Sequence, residues 1–259
     1  MPRGAEPLHE TAKLKGIHIM SINAILFDLD GTLLPMDQDL FANTYMKGLA
    51  MAAMAAGYEP RAFLEAVIAG TYAMIKNDGS KTNEEVFWDT VTDIYGSKVK
   101  QDTHIFDEFY KTDFQKIQSV CGYTPKAKEL IERIKAKGYR VVLATNPLFP
   151  AVATESRIRW AGLEPGDFET YTTFEYAHYC KPNLNYYKEL LDKLQLTPEE
   201  CLMVGNDASE DMVAEQLGMK VFLLTDCLIN ENDIDISAYP HGSYDELEAF
   251  VEELGNIGE

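Results

Sequence analysis

Ala24-Ile-Leu-Phe-Asp-Leu-Asp-Gly-Thr-Leu-Leu34 is the stretch that decides the fold. Its first five residues, Ala24-Ile-Leu-Phe-Asp28, form a short apolar run that ends on a polar residue, with Gly31 just beyond. That is the pattern of a strand buried on both faces. Similar runs recur at Arg140-Val-Val-Leu-Ala-Thr145, Cys201-Leu-Met-Val-Gly205 and Lys220-Val-Phe-Leu-Leu224, with a weaker one from Thr170 to Phe174. Helical patterns separate the last four. Residues 124–137 have Thr124 as N-cap, Pro125 at the first helical position and Gly138 as the stop. Further helices are expected over about 183–194, from Glu210 to Leu217 before Gly218, and from Asp245 to Leu254. Strands alternating with helices predict an α/β fold, a parallel sheet covered on both faces.

One interval breaks this rhythm. From Pro35 to Gly122 the periodicity is almost wholly helical, far more than one crossover requires. Asp39 to Ala56 stops at Gly57, Pro60 to Lys76 is amphipathic, and Thr82-Asn-Glu-Glu85 has the form of a capping box whose helix ends near Gly96. Asp102 to Val120 completes the set as one further helix. The division expected is an N-terminal extension over residues 1–19, an α/β core over 20–35 and 123–259, and an inserted helical cap over 36–122. Met20 stands just before the first strand as an alternative start.

Composition narrows the partners. Hydrophobic residues make up 46% and charged residues 25%, enough apolar material for a core. The net charge of −19, from 42 acidic and 23 basic residues, opposes nonspecific binding to nucleic acid or anionic membranes. The four cysteines, at 121, 180, 201 and 227, have no paired spacing, so free thiols are expected rather than zinc or disulfides. No segment reaches the roughly 18 apolar residues of a membrane span. The first nineteen residues lack the apolar region of a secretory signal, which leaves the cytoplasm as the expected compartment. Nothing in the sequence specifies an oligomeric state.

Open α/β sheets place their sites at the C-terminal ends of the strands. Those ends carry Asp28 and Asp30, then Thr145 and Asn146, then Asp207 with Asp211, while Lys181-Pro182 precedes a helix. Carboxylates grouped this way make an all-oxygen site suited to Mg²⁺, which keeps several waters and a phosphate oxygen. Lysine, a threonine hydroxyl and backbone N–H groups are what a phosphoryl group needs around its equatorial oxygens. On a regular strand Asp28 and Asp30 face the same side, and Gly31 permits the turn that exposes them. Asp28 can attack phosphorus to form an acyl phosphate. Asp30 can protonate the leaving oxygen and later deprotonate water.

Phe27-Asp-Leu-Asp-Gly-Thr-Leu-Leu34, Leu143-Ala-Thr-Asn146, Cys180-Lys-Pro182 and Val204-Gly-Asn-Asp-Ala-Ser-Glu-Asp211 resemble, in order, the four motifs of the haloacid dehalogenase (HAD) superfamily. The resemblance spans residues 24–211 and implies a Rossmann-like parallel sheet core with an inserted all-helical cap. It implies that Asp28 is the nucleophile and a metal ligand, that Asp30 is the acid/base with its carbonyl on the metal, and that Asp207 is the third protein ligand. Thr145 and Lys181 would hold the phosphate, with Leu29 and Asn146 helping. Asp211 would be a second acid, touching the metal or orienting Lys181. The implied activity is Mg²⁺-dependent hydrolysis of a small phosphorylated metabolite, such as phosphoglycolate or a sugar phosphate, through an aspartyl phosphate.

His178 and Cys180 sit beside Lys181, but a loop histidine without partners at ligand spacing is ordinarily structural. Met46, Met51, Met54, Phe87 and Trp88 are expected in the cap core, and Asn77, Lys81 and Asn83 are candidates to reach the substrate from cap loops. Asp30 argues against a dehalogenase, whose chemistry lacks that acid. A sugar-phosphate mutase and a non-catalytic binding protein of the same fold remain alternatives. Retention of Asp28, Asp30 and Lys181 weighs against the second of these.

Overall fold

The computed structural model describes residues 22–257, so the expected extension over 1–19 lies outside the described residues. The apolar runs become a five-stranded parallel sheet ordered β2-β1-β3-β4-β5: β1 Ala24–Phe27, β2 Arg140–Leu143, β3 Cys201–Gly205, β4 Lys220–Leu224 and β5 His241–Gly242. β1 lies between β2 and β3, and the chain winds outward from it in both directions. Its C-terminal end is therefore the topological switch point, where a crevice opens.

Alternation along the strands divides the interior in two. Ile25, Phe27, Val141, Leu143, Leu202 and Val204 point to one face. Ala24, Leu26, Val142, Cys201 and Met203 point to the other. Helices α6 (Pro125–Ala136) and α9 (Tyr244–Glu253) cover the first face through Leu130, Ile134, Leu247 and Val251. α8 (Leu184–Leu194) covers the second through Tyr186, Tyr187, Leu190 and Leu191. α7 (Ala151–Trp160), which the sequence reading did not pick out, packs Ile158 and Trp160 against the first face.

The helical insertion follows β1. It comprises α1 (Gln38–Ala55), α2 (Pro60–Ile75), α3 (Asn83–Tyr95), α4 (Lys98–Gln101), α5 (Thr103–Lys111) and a 3-10 segment, Asp113–Val120. The capping box at Thr82 and Glu85 forms as expected. Chain entering and leaving the insertion pairs through a Met36–Cys121 bridge and a 2.7 Å bond from Gly122 N to Pro35 O. One apolar cluster runs unbroken from the sheet into the insertion, with Phe114 stacked on Trp160 at 5.1 Å. Among the described residues no helix is long and apolar enough to cross a membrane.

Several expectations need correction. Thr170–Phe174 is not a strand; it makes one bridge, Tyr171 to Leu143, and the fifth strand is β5. The helix expected from Asp102 to Val120 breaks at Thr112 (φ −120°, ψ −81°), whose hydroxyl back-bonds to Glu108 O. The expected Glu210–Leu217 helix is a 3-10 turn over Met212–Leu217. Met51 and Met54 are 58% and 59% exposed rather than in the cap core. The reason lies in α1, where Phe41, Tyr45, Leu49 and Ala53 recur every four residues and take the buried stripe.

Asn77, Lys81 and Asn83 fasten the insertion and do not line the cavity described below. Asn83 is fully buried; its Nδ2 contacts Cys180 Sγ, Pro147 O and Tyr179 O at 3.3–3.4 Å, and its Oδ1 accepts from Asn77 Nδ2 at 2.9 Å. Lys81 pairs with Asp89 at 2.8 Å. The start of α3 is thus tied to the loop that carries Lys181. Asn83→Ala is expected to lower stability by about 1–3 kcal/mol, because Asn77 loses its buried acceptor. Urea unfolding indistinguishable from wild type would show that this network carries no load.

Candidate active site

The polar residues read at the strand ends converge on one crevice. β1 ends at Phe27, and a turn begins at Leu29, so the strand regularity assumed for Asp28 and Asp30 does not hold. Both nevertheless line the same cavity. Gly31 makes the turn possible: its φ is +85°, and an added Cβ would collide with the Asn206 amide. The Thr32 hydroxyl donates to Asn206 Oδ1 at 3.0 Å, locking the turn to the loop after β3.

Lys181 stands at the floor, with a side chain fully withdrawn from solvent. Its Nζ donates to Asp28 Oδ1 at 2.9 Å and to Asp211 Oδ1 at 2.6 Å. Burial alone would lower the ammonium pKa, but Asp211 and Asp28 outweigh it and hold Lys181 charged. Asp211 is held in turn, its Oδ2 accepting from Asp207 N at 3.0 Å. It fits only because residue 205 is glycine, since a Cβ there would overlap the Asp211 carboxylate. Asp207 Oδ1 accepts from the backbone N–H groups of Ser209 and Glu210 at 2.7 and 2.9 Å.

Thr145 is buried, and its carbonyl accepts from the Thr172 and Tyr186 hydroxyls. The Asn146 side chain accepts from Lys181 N at 3.2 Å and donates to both Glu210 carboxylate oxygens at 2.9–3.0 Å. Leu29 is fully buried in the β1 turn, its carbonyl accepting from Thr32 N and Leu34 N. His178 contacts Glu189 at 2.5 Å and does not line the cavity. The cysteines are free thiols.

Two residues of the site escaped the sequence reading. Arg157, fully buried on α7, pairs its Nη1 with Asp30 Oδ2 and lies 4.3 Å from the centre of the Phe149 ring. Asp30 Oδ1 is buried without a partner. Burial raises the Asp30 carboxyl pKa, and Arg157 opposes the rise. Glu210 also lines the cavity, and burial pushes it up to about 8 against the pull of Lys181. Glu210 lies inside the quoted fourth motif, so its position was visible though its role was not. No local pattern marks Arg157.

The haloacid dehalogenase-like hydrolase profile matches residues 22–218, and the chain belongs to that family. The resemblance drawn from the four motifs is therefore correct. A phosphoglycolate phosphatase of Aliivibrio fischeri is 27% identical over 209 residues, covering 79% of this chain and 84% of that one. The pyrophosphatase PpaX of Bacillus cereus is 23% identical, over 78% of this chain and 82% of its own. Among solved structures, a HAD phosphatase from Thermococcus onnurineus superposes with a TM-score of 0.56 at 17% identity, covering 88% of this chain and 97% of that one. CbbY from Rhodobacter sphaeroides, solved with phosphate, gives 0.53 at 17% over 87% and 96%. These two likenesses establish the shared fold.

The raised Glu210 carboxyl makes stability depend on pH. The folded protein holds that proton more tightly than the unfolded chain, where the ordinary value is 4.5. Its contribution to stability is therefore full below pH 4.5 and is lost as pH rises through about 8. In EDTA, Glu210→Gln is expected to gain stability relative to wild type between pH 5 and pH 8, read by urea unfolding. Parallel pH profiles for the two proteins would contradict this assignment.

Proposed function

We propose that this hydrolase is a Mg²⁺-dependent phosphatase that cleaves the phosphate ester of a small metabolite through an aspartyl phosphate on Asp28. The observation that supports it most is Lys181, buried between Asp28 and Asp211 on the floor of the crevice at the switch point. A charged lysine beside a carboxylate at that position neutralises phosphate oxygens while leaving the carboxylate to attack. Thr145 and the main chain at Leu29 and Asn146 complete the phosphate contacts. Residues 36–122 act as the cap.

The donor set fits a magnesium ion. No group of three or more His, Cys, Asp or Glu side chains able to hold a metal occurs among the described residues. The ligands proposed need no such group: they are two carboxylates, Asp28 and Asp207, with the Asp30 main-chain carbonyl. Mg²⁺ favours such a small protein share because it retains water and takes up phosphate oxygens. When bound, the ion offsets negative charge on the transferring phosphate. Asp211 is proposed to orient Lys181, which it contacts at 2.6 Å.

Asp28 attacks phosphorus as the ester P–O bond breaks. Asp30 gives its proton to the departing oxygen, then takes one from the water that cleaves the acyl phosphate. Pairing through Oδ2 with Arg157 leaves Oδ1 for that exchange. A sugar-phosphate mutase is the weaker reading, since aromatic and aliphatic side chains dominate the cap wall.

The roles separate by mutation. Asp28→Asn is expected to abolish Mg²⁺-dependent hydrolysis of p-nitrophenyl phosphate, with loss of at least about a thousandfold in kcat/KM, and EDTA is expected to silence the wild type. Asp30→Asn is expected to keep Mg²⁺ binding by calorimetry yet lose turnover, because its carbonyl survives the substitution. Wild-type activity no greater than that of Asp28→Asn across a broad ester panel would remove the phosphatase reading. Normal turnover by Asp30→Asn would remove the acid/base assignment.

A further inference from the structure

The cavity above the floor has a volume of about 320 Å³ and continues from Asp28 and Thr145 into the cap. There its wall is built from Phe41, Leu49, Phe63, Val67, Trp88 and Phe106. Among the described residues no lysine, arginine or histidine lines it. Nearby cations are already engaged, Lys181 by Asp28 and Asp211 and Arg157 by Asp30. The hydroxyls on the wall are few: Thr71 donates to Val67 O at 3.0 Å, and Tyr45 and Tyr110 bond each other at 2.9 Å, which leaves one tyrosine proton for a ligand.

We propose that the group released by this enzyme is apolar and uncharged, so that the substrate is a phosphate monoester of an aromatic or aliphatic alcohol whose organic part occupies the cap cavity. The proposal rests on the phosphatase reading above and narrows it, turning away from phosphoglycolate, sugar phosphates and pyrophosphate. A carboxylate or a second phosphate in this wall would be a buried charge without a partner, and sugar hydroxyls would lose their hydrogen bonds to water. Rings and aliphatic chains lose nothing of that kind, and they gain the removal of their own surface from water. Size agrees, because an apolar cavity of about 150 Å³ already accepts benzene. The reaction is balanced: water adds its oxygen to phosphorus, the ester P–O bond breaks, and the alcohol oxygen leaves with a proton.

Non-hydrolysable phosphonates test the organic group without requiring turnover. Calorimetry with the wild-type protein and Mg²⁺ would compare benzylphosphonate, octylphosphonate and phosphonoacetate. At least one apolar phosphonate is expected to bind about 30-fold tighter than phosphonoacetate, and whichever apolar ligand is tighter identifies ring or chain. Trp88→Ala is expected to weaken that ligand about tenfold and to leave phosphonoacetate unchanged. Equal or tighter binding of phosphonoacetate, or binding of none of the three, overturns the proposal. The phosphatase reading is judged separately by Asp28-dependent turnover, so a protein that hydrolyses esters yet prefers phosphonoacetate refutes only the leaving-group class.

Discussion

An ammonium group withdrawn from water demands compensation, and the whole site is arranged around that demand at Lys181. Removing one partner from such a buried cluster costs about 3–5 kcal/mol, so Asp28 and Asp211 contribute to stability apart from the chemistry proposed for them. Each has its own precondition. Asp28 is delivered by the end of β1, and Asp211 approaches only across Gly205, where any side chain would overlap it. The loop carrying Lys181 is anchored by Asn146, which joins it to Glu210, and by the contacts of Asn83 with Cys180 and Tyr179. A single buried charge thus couples three strand ends and the inserted helices.

The sheet supplies the rigidity this arrangement needs. β1 is bonded on both sides along its length, and its residues alternate between two separate apolar clusters. Its end cannot shift without disturbing both. The Asp30 segment is different in kind: it sits on a turn held by Gly31, Thr32 and Asn206, with its carboxylate drawn toward α7 by Arg157. Two carboxylates two residues apart therefore meet opposite surroundings, one beside a lysine on the floor and one beside an arginine at the side. Such divergence suits two distinct tasks for one motif.

What the sequence made legible follows from the range of each signal. Short apolar runs bounded by polar residues report burial directly, so four strands and the insertion were readable. The motif residues were readable because Gly, Asp, Thr and Lys at fixed spacing carry local constraints. Arg157 was not, since its meaning depends on Asp30 lying 127 residues away, and no helical period distinguishes a buried arginine from a solvated one. Met51 and Met54 failed for a related reason: α1 carries apolar residues around much of its circumference, so periodicity alone does not choose the buried stripe. β5 is only two residues long, below what any apolar pattern can announce.

The same logic limits what the relatives' names carry over. Phosphoryl transfer is specified by the floor, where charge must be matched at fixed distances, and the family match covers that floor. Recognition of the leaving group is specified by the cap wall, where nothing forces one side chain over another of similar size. Phosphoglycolate and pyrophosphate both end in a second anion, which a cation or a set of N–H donors on that wall would have to match. The wall instead sets Phe63, Trp88 and Phe106 around the cavity, and the cations closest to the floor are already paired. An electrostatic requirement of this size is not met by small adjustments of packing. Likeness in the core therefore places the chain among the hydrolases of its family, while the aromatic lining of the cap is the ground for proposing a different class of alcohol.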